Sequence, residues 1–374
     1  MDIYLVLALT TLVVSVIIGV QWYKGINSIS FLKDTKIDLD THPFVSIVVA
    51  ACNEEETVER SIESIMKLEY KNFELIVVND RSKDKTGDII EKLQSKYSNL
   101  RVIHIKSLPE GWLGKNNALY EGSKISKGEW LLFTDADIIF SKDCLGKALT
   151  YISKNGLDHL CLLFQIIGGS LPYRIYFTYW SIGIIWLITT QKHVGVGAFN
   201  LIKKSVYKQI GTHKAIALRP DDDLKLGKMV VIKGFKQGVL FGNDLIRVKW
   251  YGNLREIIRG FEKNAFAVLD YNLFLVLSTS ILTTFFHLYP IIGIFLGDIT
   301  SKFLNLLSLL IVFLMYKHSS KYVGNPLWFF LANPISAVVN NYILLRATIK
   351  NLIEGKITWR GTDYPLDILR KNKI

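Results

Sequence analysis

The sequence predicts an α/β fold: a doubly wound, mostly parallel sheet carried on membrane-spanning helices toward both ends of the chain. Three observations predict it. Between residues 45 and 137, apolar runs of strand type alternate with helical runs, the β-α-β-α-β order of a parallel sheet with helical crossovers. Residues 3–23 carry no formal charge, nor do 271–297, 303–316 and 322–345. The 374 residues are 50% hydrophobic, with mean hydropathy +0.26. That is enough for a soluble core plus membrane segments.

Lys and Arg outnumber Asp and Glu by 45 to 33, a net charge of +12. This balance suits phosphorylated ligands and anionic lipid, and with so apolar a chain nucleic acid is not the expected partner. Cys52, Cys144 and Cys161 have no metal-ligand spacing and read as reduced thiols in a cytosolic domain, Cys52 and Cys161 as core.

Residues 1–23 read as an uncleaved transmembrane anchor, with no basic stretch before the apolar run and no small-x-small cleavage pattern. Lys24, Lys33 and Lys36 follow, so the positive-inside rule places the next domain in the cytoplasm. Residues 24–42 read as a polar linker. Residues 43–150 form the first half of the α/β domain: a first strand over 45–52, a helix over 57–68, a strand over 73–80, a helix over 88–97 and a strand over 100–105. The turn Asn53-Glu54-Glu55-Glu56 places acids at a helix start. A Gly/Pro-rich loop, 108–114, runs into a helix with Lys115 at its start. Exposed amides plus one ammonium make an anion site, although the spacing is not that of a P-loop, and taken alone Lys115 reads better as a solvated helix-start lysine. The run Trp130-Leu131-Leu132-Phe133 ends in Asp135 and Asp137. Positions i and i+2 of a strand share a face, so both carboxylates can meet one hard cation, Mg²⁺ or Mn²⁺.

These motifs in this order, Ala50-Ala51-Cys52-Asn53-Glu54-Glu55, then Asn79-Asp80-Arg81-Ser82-Lys83-Asp84-Lys85-Thr86, then Gly114-Lys115, then Asp135-x-Asp137, resemble glycosyltransferase family 2. The resemblance implies a GT-A, Rossmann-like domain that binds a nucleotide sugar, with a UDP-sugar the commonest donor. It implies that Asp80 reads the base edge, that Ala50, Cys52, Asn53 and Glu54 border the nucleoside, that Asp135 lies near ribose and metal, and that Asp137 ligates the metal. A helix-cap or turn aspartate remains the other reading of Asp80.

Residues 151–250 form the acceptor and catalytic-base half. Residues 173–190 read as an interfacial helix, a helix lining a lipid-acceptor groove, or a core helix. The loop 195–204, with Asn200, resembles the family's stretch beside donor sugar and acceptor. Asp221-Asp222-Asp223 open an amphipathic helix. Three adjacent carboxylates repel, which raises at least one pKa, and Asp221 also reads as surface charge. Asp222-Asp223 resembles the family's Glu-Asp motif, with Asp where Glu is usual. The resemblance implies that the second acid, Asp223, is the catalytic base, with Asp222 the other candidate.

Residues 251–270 read as a basic amphipathic segment at the membrane surface. Arg259, Phe261 and Lys263 lie where polymer-synthase relatives carry Gln-x-x-Arg-Trp, a motif this chain lacks. Gly260-Phe261-Glu262-Lys263-Asn264 instead resembles the lipid-acceptor branch, the carotenoid (diaponeurosporenoate-type) and hopene-associated glycosyltransferases, and more distantly ceramide glucosyltransferase. These residues and Trp359 are the candidates for acceptor and diphosphate contacts. Residues 271–345 read as transmembrane or re-entrant helices, with the Asn/Pro-broken last stretch re-entrant. Residues 346–374 read as a basic cytoplasmic tail, whose Thr358-Trp359-Arg360-Gly361-x-x-Tyr364 resembles the same branch's C-terminal pattern and is expected to pack near the catalytic domain at the membrane surface, a solvated tail being the other reading.

The expected protein is a multi-pass enzyme of the cell membrane with its catalytic domain facing the cytoplasm. It would be a metal-dependent, inverting glycosyltransferase moving one sugar from a nucleotide diphosphate sugar to a membrane lipid such as a carotenoid or hopanoid. A polyprenyl-phosphate acceptor is the alternative within the class. A non-catalytic nucleotide-sugar-binding membrane scaffold is the alternative outside it.

Overall fold

The computed structural model describes residues 2–372. Residue 1 of the expected anchor and residues 373–374 of the expected tail lie outside the described residues. The chain divides into two compact units. An α/β unit takes Ser30–Gly168, His193–Trp250 and 358–372, and a helical unit takes 2–29, Gly169–Lys192 and Tyr251–Ile357.

The strands are β1 (Val45–Ala51), β2 (Phe73–Asp80), β3 (Leu100–Ile105), β4 (Trp130–Asp135), β5 (Ile138–Phe140), β6 (His159–Leu163), β7 (Gln165–Ile166), β8 (Asn200–Lys203), β9 (Gln237–Phe241), β10 (Ile246–Val248), β11 (Lys356–Trp359) and β12 (Thr362–Pro365). Seven form the main sheet in the order β3-β2-β1-β4-β8-β6-β9. The first four run parallel, and β8 runs antiparallel to both its neighbours. β5, β10 and β7 make a second small sheet, and β11 and β12 pair as a hairpin.

The inner parallel strands β1, β2 and β4 are mostly apolar, as expected where helices cover both faces of a sheet; every residue of β2 is buried. The helix Val58–Met66 buries Val58, Ile62 and Ile65, spaced i, i+4, i+7. Between sheet and helices, Val48, Ile76, Val78, Ala118, Leu119 and Phe133 share one core. Each fully buried large aliphatic or aromatic side chain contributes about 1.5–3 kcal/mol. The helix Cys144–Asn155 stops at Gly156, whose left-handed φ of 59° closes the C-terminal turn.

The stretch expected as a polar linker is structured. The first helix continues to Ser28 with Gly25 and Ile26 buried. Phe31 then packs on Phe241 at 5.1 Å, and Leu32 is fully buried. Its apolar residues, few in number, decide its fate over its average polarity. Cys144 and Cys161 are core, whereas Cys52 is only half-buried, because it lies beyond the last residue of β1.

In the helical unit, four segments are long and apolar enough to cross a membrane by length and composition: Ile3–Ser28, Leu273–Gly293, Ile299–Val323 and Leu327–Glu354. The stretch 303–316 is short only as an uncharged run, since Lys302, Lys317 and Lys321 lie in the end turns of a 25-residue helix. The last segment is broken: a 3-10 turn, Leu327–Ala332, meets the helix Asn333–Glu354 at Asn333-Pro334. Two titratable groups lie inside Leu273–Gly293, His287 and Tyr289, and His287 accepts from the Asn333 amide at 3.0 Å. The helix Leu171–Gln191 also belongs here, its Trp186 donating to Gln21 at 3.0 Å and its Tyr176 to Asn340 at 3.0 Å. Leu254–Phe261, capped by the Asn253 side chain, carries the strongly amphipathic pattern expected of a surface segment.

Candidate active site

The site grows from the register of the sheet. The chain passes from β1 to β2 to β3 in one direction and then returns to place β4 on the other side of β1. The crevice outside the strand ends at such a reversal is where open α/β sheets bind ligands. The register sets Ala50 beside Asp135 and Ala51 beside Asn79. Two of the sequence candidates, Ala50 and Asp135, therefore sit side by side at one sheet edge through strand pairing alone.

The loops beyond β1 and β2 are fastened to each other. The Asn53 N–H donates to Ser82 Oγ (3.0 Å), and Asn53 Oδ1 accepts from the Lys83 N–H (2.8 Å). The Glu54 N–H donates to Thr86 Oγ1 (2.7 Å), and the Glu55 N–H to Asp84 Oδ2 (3.2 Å). The Ser-x-Asp-x-Thr spacing after Asp80 is thus a set of three acceptors at alternate positions that pins the β1 loop. Asn53 holds the left-handed φ of 55° that its short amide tolerates.

Asp80 is buried, and its two oxygens are gripped by Arg81 through Nε (2.7 Å) and Nη2 (2.9 Å). Arg81 itself sits at φ 54°. The carboxylate expected to read a base edge is already engaged by a guanidinium fork. Burial, with the charge of Asp80 next, pushes the Cys52 thiol up, so it stays protonated.

Across the crevice, Lys115 Nζ lies 2.7 Å from Asp135 Oδ1 and 3.7 Å from Asp222 Oδ2. Burial alone would push its ammonium down, but the charges of Asp135, Asp222 and Asp223 outweigh this and raise its pKa. The solvated reading of Lys115 fails: its side chain is 21% exposed and bridges two sequence motifs. Asp223 accepts from the Gly197 N–H at 2.8 Å through Oδ2 and from the Leu224 N–H at 2.8 Å through Oδ1. Burial raises its pKa against the pull of Lys115. A Cβ on Gly195 would lie 1.7 Å from the Asp223 carbonyl oxygen, and one on Gly197 would lie 2.7 Å from Asp135 Oδ2. The loop 193–199 approaches both acids so closely that only glycine fits. Lys115, Asp135, Gly197, Asn200, Asp222 and Asp223 line one small cavity, with Leu119, Phe133, Thr134 and His213 as its apolar and aromatic floor.

Asp221 is no surface charge. It is buried and held bidentately by the fully buried Arg219, at 2.8 Å through each nitrogen. Asn200 turns its Oδ1 to His159 Nε2, while His159 Nδ1 accepts from Gln237 Nε2 at 2.7 Å. Those roles fix the Nε2–H tautomer, and burial holds His159 down at about 4. Arg259, Phe261 and Lys263 belong to the helical unit, where Phe261 packs on Trp180 at 5.8 Å. Trp359 ends β11 in the α/β unit.

Asp135 and Asp137 offer hard oxygen donors, and Asp137 is pushed up to about 7 by burial and then by the nearby charges of Asp135 and Glu54. Crowded carboxylates of this kind fit a divalent cation, whose charge reverses the repulsion. Among the described residues no group of three His, Cys, Asp or Glu side chains converges as a ligand set. A two-carboxylate site completed by phosphate and water is the arrangement Mg²⁺ commonly takes.

Sequence reasoning missed Arg81, Arg219 and Tyr364 as parts of this site. The Tyr364 hydroxyl accepts from the Gly114 N–H at 3.3 Å. For the two arginines a signal existed, a cation within two residues of a motif acid.

Residues 46–211 match the family model described as Glycosyl transferase family 2. An uncharacterized glycosyltransferase of Haemophilus influenzae is 34% identical over 122 residues, 33% of this chain and 36% of that protein. A beta-monoglucosyldiacylglycerol synthase of Trichormus variabilis is 36% identical over 105 residues, 28% of this chain and 22% of that protein. The matches thus span about a third or less of these relatives. Among solved structures, a mannosyltransferase from Pyrobaculum calidifontis in complex with GDP-Man and Mn²⁺ superposes with TM-score 0.56 at 14% identity, covering 94% of this chain and 99% of that one. The fold is GT-A.

Proposed function

We propose that this chain, whose residues 46–211 form a glycosyltransferase family 2 domain, transfers one sugar from a nucleotide diphosphate sugar to the hydroxyl of a membrane lipid. The observation that carries the reading is the meeting of Lys115, Asp135, Asp222 and Asp223 at the strand-order reversal. Asp223 is the general base. It is partly exposed, whereas Asp222 is buried beside Lys115. A carboxylate with a raised pKa suits proton abstraction from a hydroxyl near neutral pH. Backbone donors at Gly197 and Leu224 orient it. Lys115 holds Asp135 in place and offers positive charge toward the leaving diphosphate. A divalent cation held by Asp137 and Asp135 would neutralise that diphosphate. Displacement in a single step inverts the anomeric carbon.

A lipid acceptor is supported by the four apolar segments and by the glucosyldiacylglycerol synthase among the relatives. Lys24, Lys33 and Lys36 favour a cytoplasmic α/β unit.

The test is nucleoside diphosphate release by the full chain in lipid nanodiscs, given UDP- or GDP-sugars, Mn²⁺ and a bacterial lipid extract. Release that depends on the lipid extract, and falls at least ~100-fold in Asp223→Asn, is the expected result. Release by Asp223→Asn equal to wild type removes Asp223 as base and favours an acceptor phosphate, which needs no deprotonation. Binding of nucleotide sugar with no release in any mixture favours a non-catalytic scaffold.

A further inference from the structure

The sequence motifs give the C-terminal hairpin no role in donor binding beyond the candidate Trp359, yet it touches three of the donor-side loops. In the α/β unit, the Thr362 hydroxyl accepts from Arg81 Nη1 at 3.2 Å. The Tyr364 hydroxyl accepts from the Gly114 N–H at the start of the Lys115 helix. Thr362 and Tyr364 are i and i+2 on β12 and so share a face. At the tip, Arg360 Nη2 donates to Glu54 Oε1 in the β1 loop. The segment is anchored behind the hairpin: Leu366 and Leu369 are buried, and the Asn372 amide donates to the Ala215 carbonyl at 3.3 Å.

The tip residue is an unusual choice. Arg360 and Gly361 have φ of 49° and 77°, the two left-handed positions of a type I′ hairpin turn. Asn, Asp or Gly fits the first of these; arginine carries a Cβ penalty there without a short amide to offset it. Strained backbone of this kind clusters where a side chain must be aimed. Arg360, Arg81 and Asn53 are all left-handed, and all three lie around the ends of β1 and β2. The Arg360 side chain is 45% exposed, so solvent and ligands reach it, and its partner is one half-buried carboxylate.

We propose that Arg360 is a donor-binding residue: the hairpin walls the nucleotide crevice, and the Arg360 guanidinium exchanges Glu54 for the diphosphate of a nucleoside diphosphate. A diphosphate offers the fork two or more anionic oxygens, a stronger and more directional partner than one partly solvated carboxylate. Glu54 neutralises the guanidinium until the ligand arrives. No covalent bond changes in the exchange. This inference rests on the donor reading above.

The test uses the full chain in nanodiscs, titrated calorimetrically with UDP and with GDP in the presence of Mn²⁺, for wild type, Arg360→Gln and Arg360→Lys. The expected result is at least ten-fold weaker binding by Arg360→Gln and partial recovery by Arg360→Lys. Hydrogen exchange on wild type supplies a readout that needs no variant: protection of residues 358–365 rises when the nucleotide binds. Equal affinity of Arg360→Gln and wild type, or unchanged protection of 358–365 in saturated wild type, overturns the inference and leaves the donor reading intact. If wild type binds neither nucleotide, both fall together.

Discussion

Lys115 shows how much one side chain carries here. It faces Asp135 and Asp222, with Asp223 in electrostatic reach. Lys115→Ala leaves these acids uncompensated in a partly dry pocket, which costs on the order of 3 kcal/mol. The expected outcome is a lower thermal midpoint together with a transfer rate reduced at least ~100-fold, measured on the same preparation. Gly195→Ala is expected to abolish transfer while the protein still inserts in membranes, since its Cβ would overlap the Asp223 carbonyl at 1.7 Å. Acid sensitivity follows from His159. Its folded pKa of about 4 lies below the unfolded value near 6.5, so above that value both states are neutral and nothing is lost. As pH falls from about 6.5 to 4, only the unfolded state takes the proton, and stability drops by on the order of 3 kcal/mol. Thermal unfolding in detergent at pH 7.5 and pH 5 should show about 2 kcal/mol of that loss, with a smaller one in His159→Gln; equal losses would remove His159 as its source. At this scale the acids were legible and their partners were not. Asp135-x-Asp137 stands out because two carboxylates end a strand-like apolar run. Arg219 and Arg81 lie within two residues of their aspartates in the sequence, but that each grips its carboxylate with two nitrogens shows only in the fold.

The element that explains most is the pair of loops closing β1 and β2. Ser82, Asp84 and Thr86 each accept a backbone N–H from the β1 loop. Asp84→Ala removes the acceptor of both the Glu55 and the Thr86 N–H groups and is expected to cost about 1–2 kcal/mol. Its functional signature should be a weaker donor affinity with turnover at saturation little changed, because the proposed reading sets this loop against the nucleoside and Asp223 across the crevice. A turnover defect at saturating donor would contradict this. Residues 73–80 and 100–105 fold as the strands that their apolar patterns predict. The far half of the sheet was harder to read. β8 has four residues and runs antiparallel between β4 and β6, so neither length nor alternation announces its direction. The helix Leu171–Gln191 is apolar on every side, and the pattern alone left its setting open.

For the whole molecule, connectivity limits the topology. Strands β6 and β8 pair directly, so the single helix between them starts and ends on one sheet. The chain leaves the α/β unit after Trp250 and rejoins it at Thr358. If these segments cross a bilayer and the α/β unit lies on one side of it, an even number of crossings separates 250 from 358, whereas three candidate segments lie there. We propose that the last is the one to turn back. It carries a Pro-marked break, where a 3-10 turn meets the helix Asn333–Glu354. Reporter fusions at residue 297 should then face outside and those at 324 the cytoplasm; the reverse would place the α/β unit outside. A basic tail that returns to the α/β unit also accounts for charges that three full crossings would leave on the wrong side. The central claim is sugar transfer to a lipid with Asp223 as base. Mass spectrometry of total lipids from cells expressing wild type or Asp223→Asn at matched protein levels tests it most directly. The account predicts a hydrophobic species heavier by one sugar residue with wild type only. The same species at equal abundance in both strains, or no such species with the native host's lipids supplied, would contradict it.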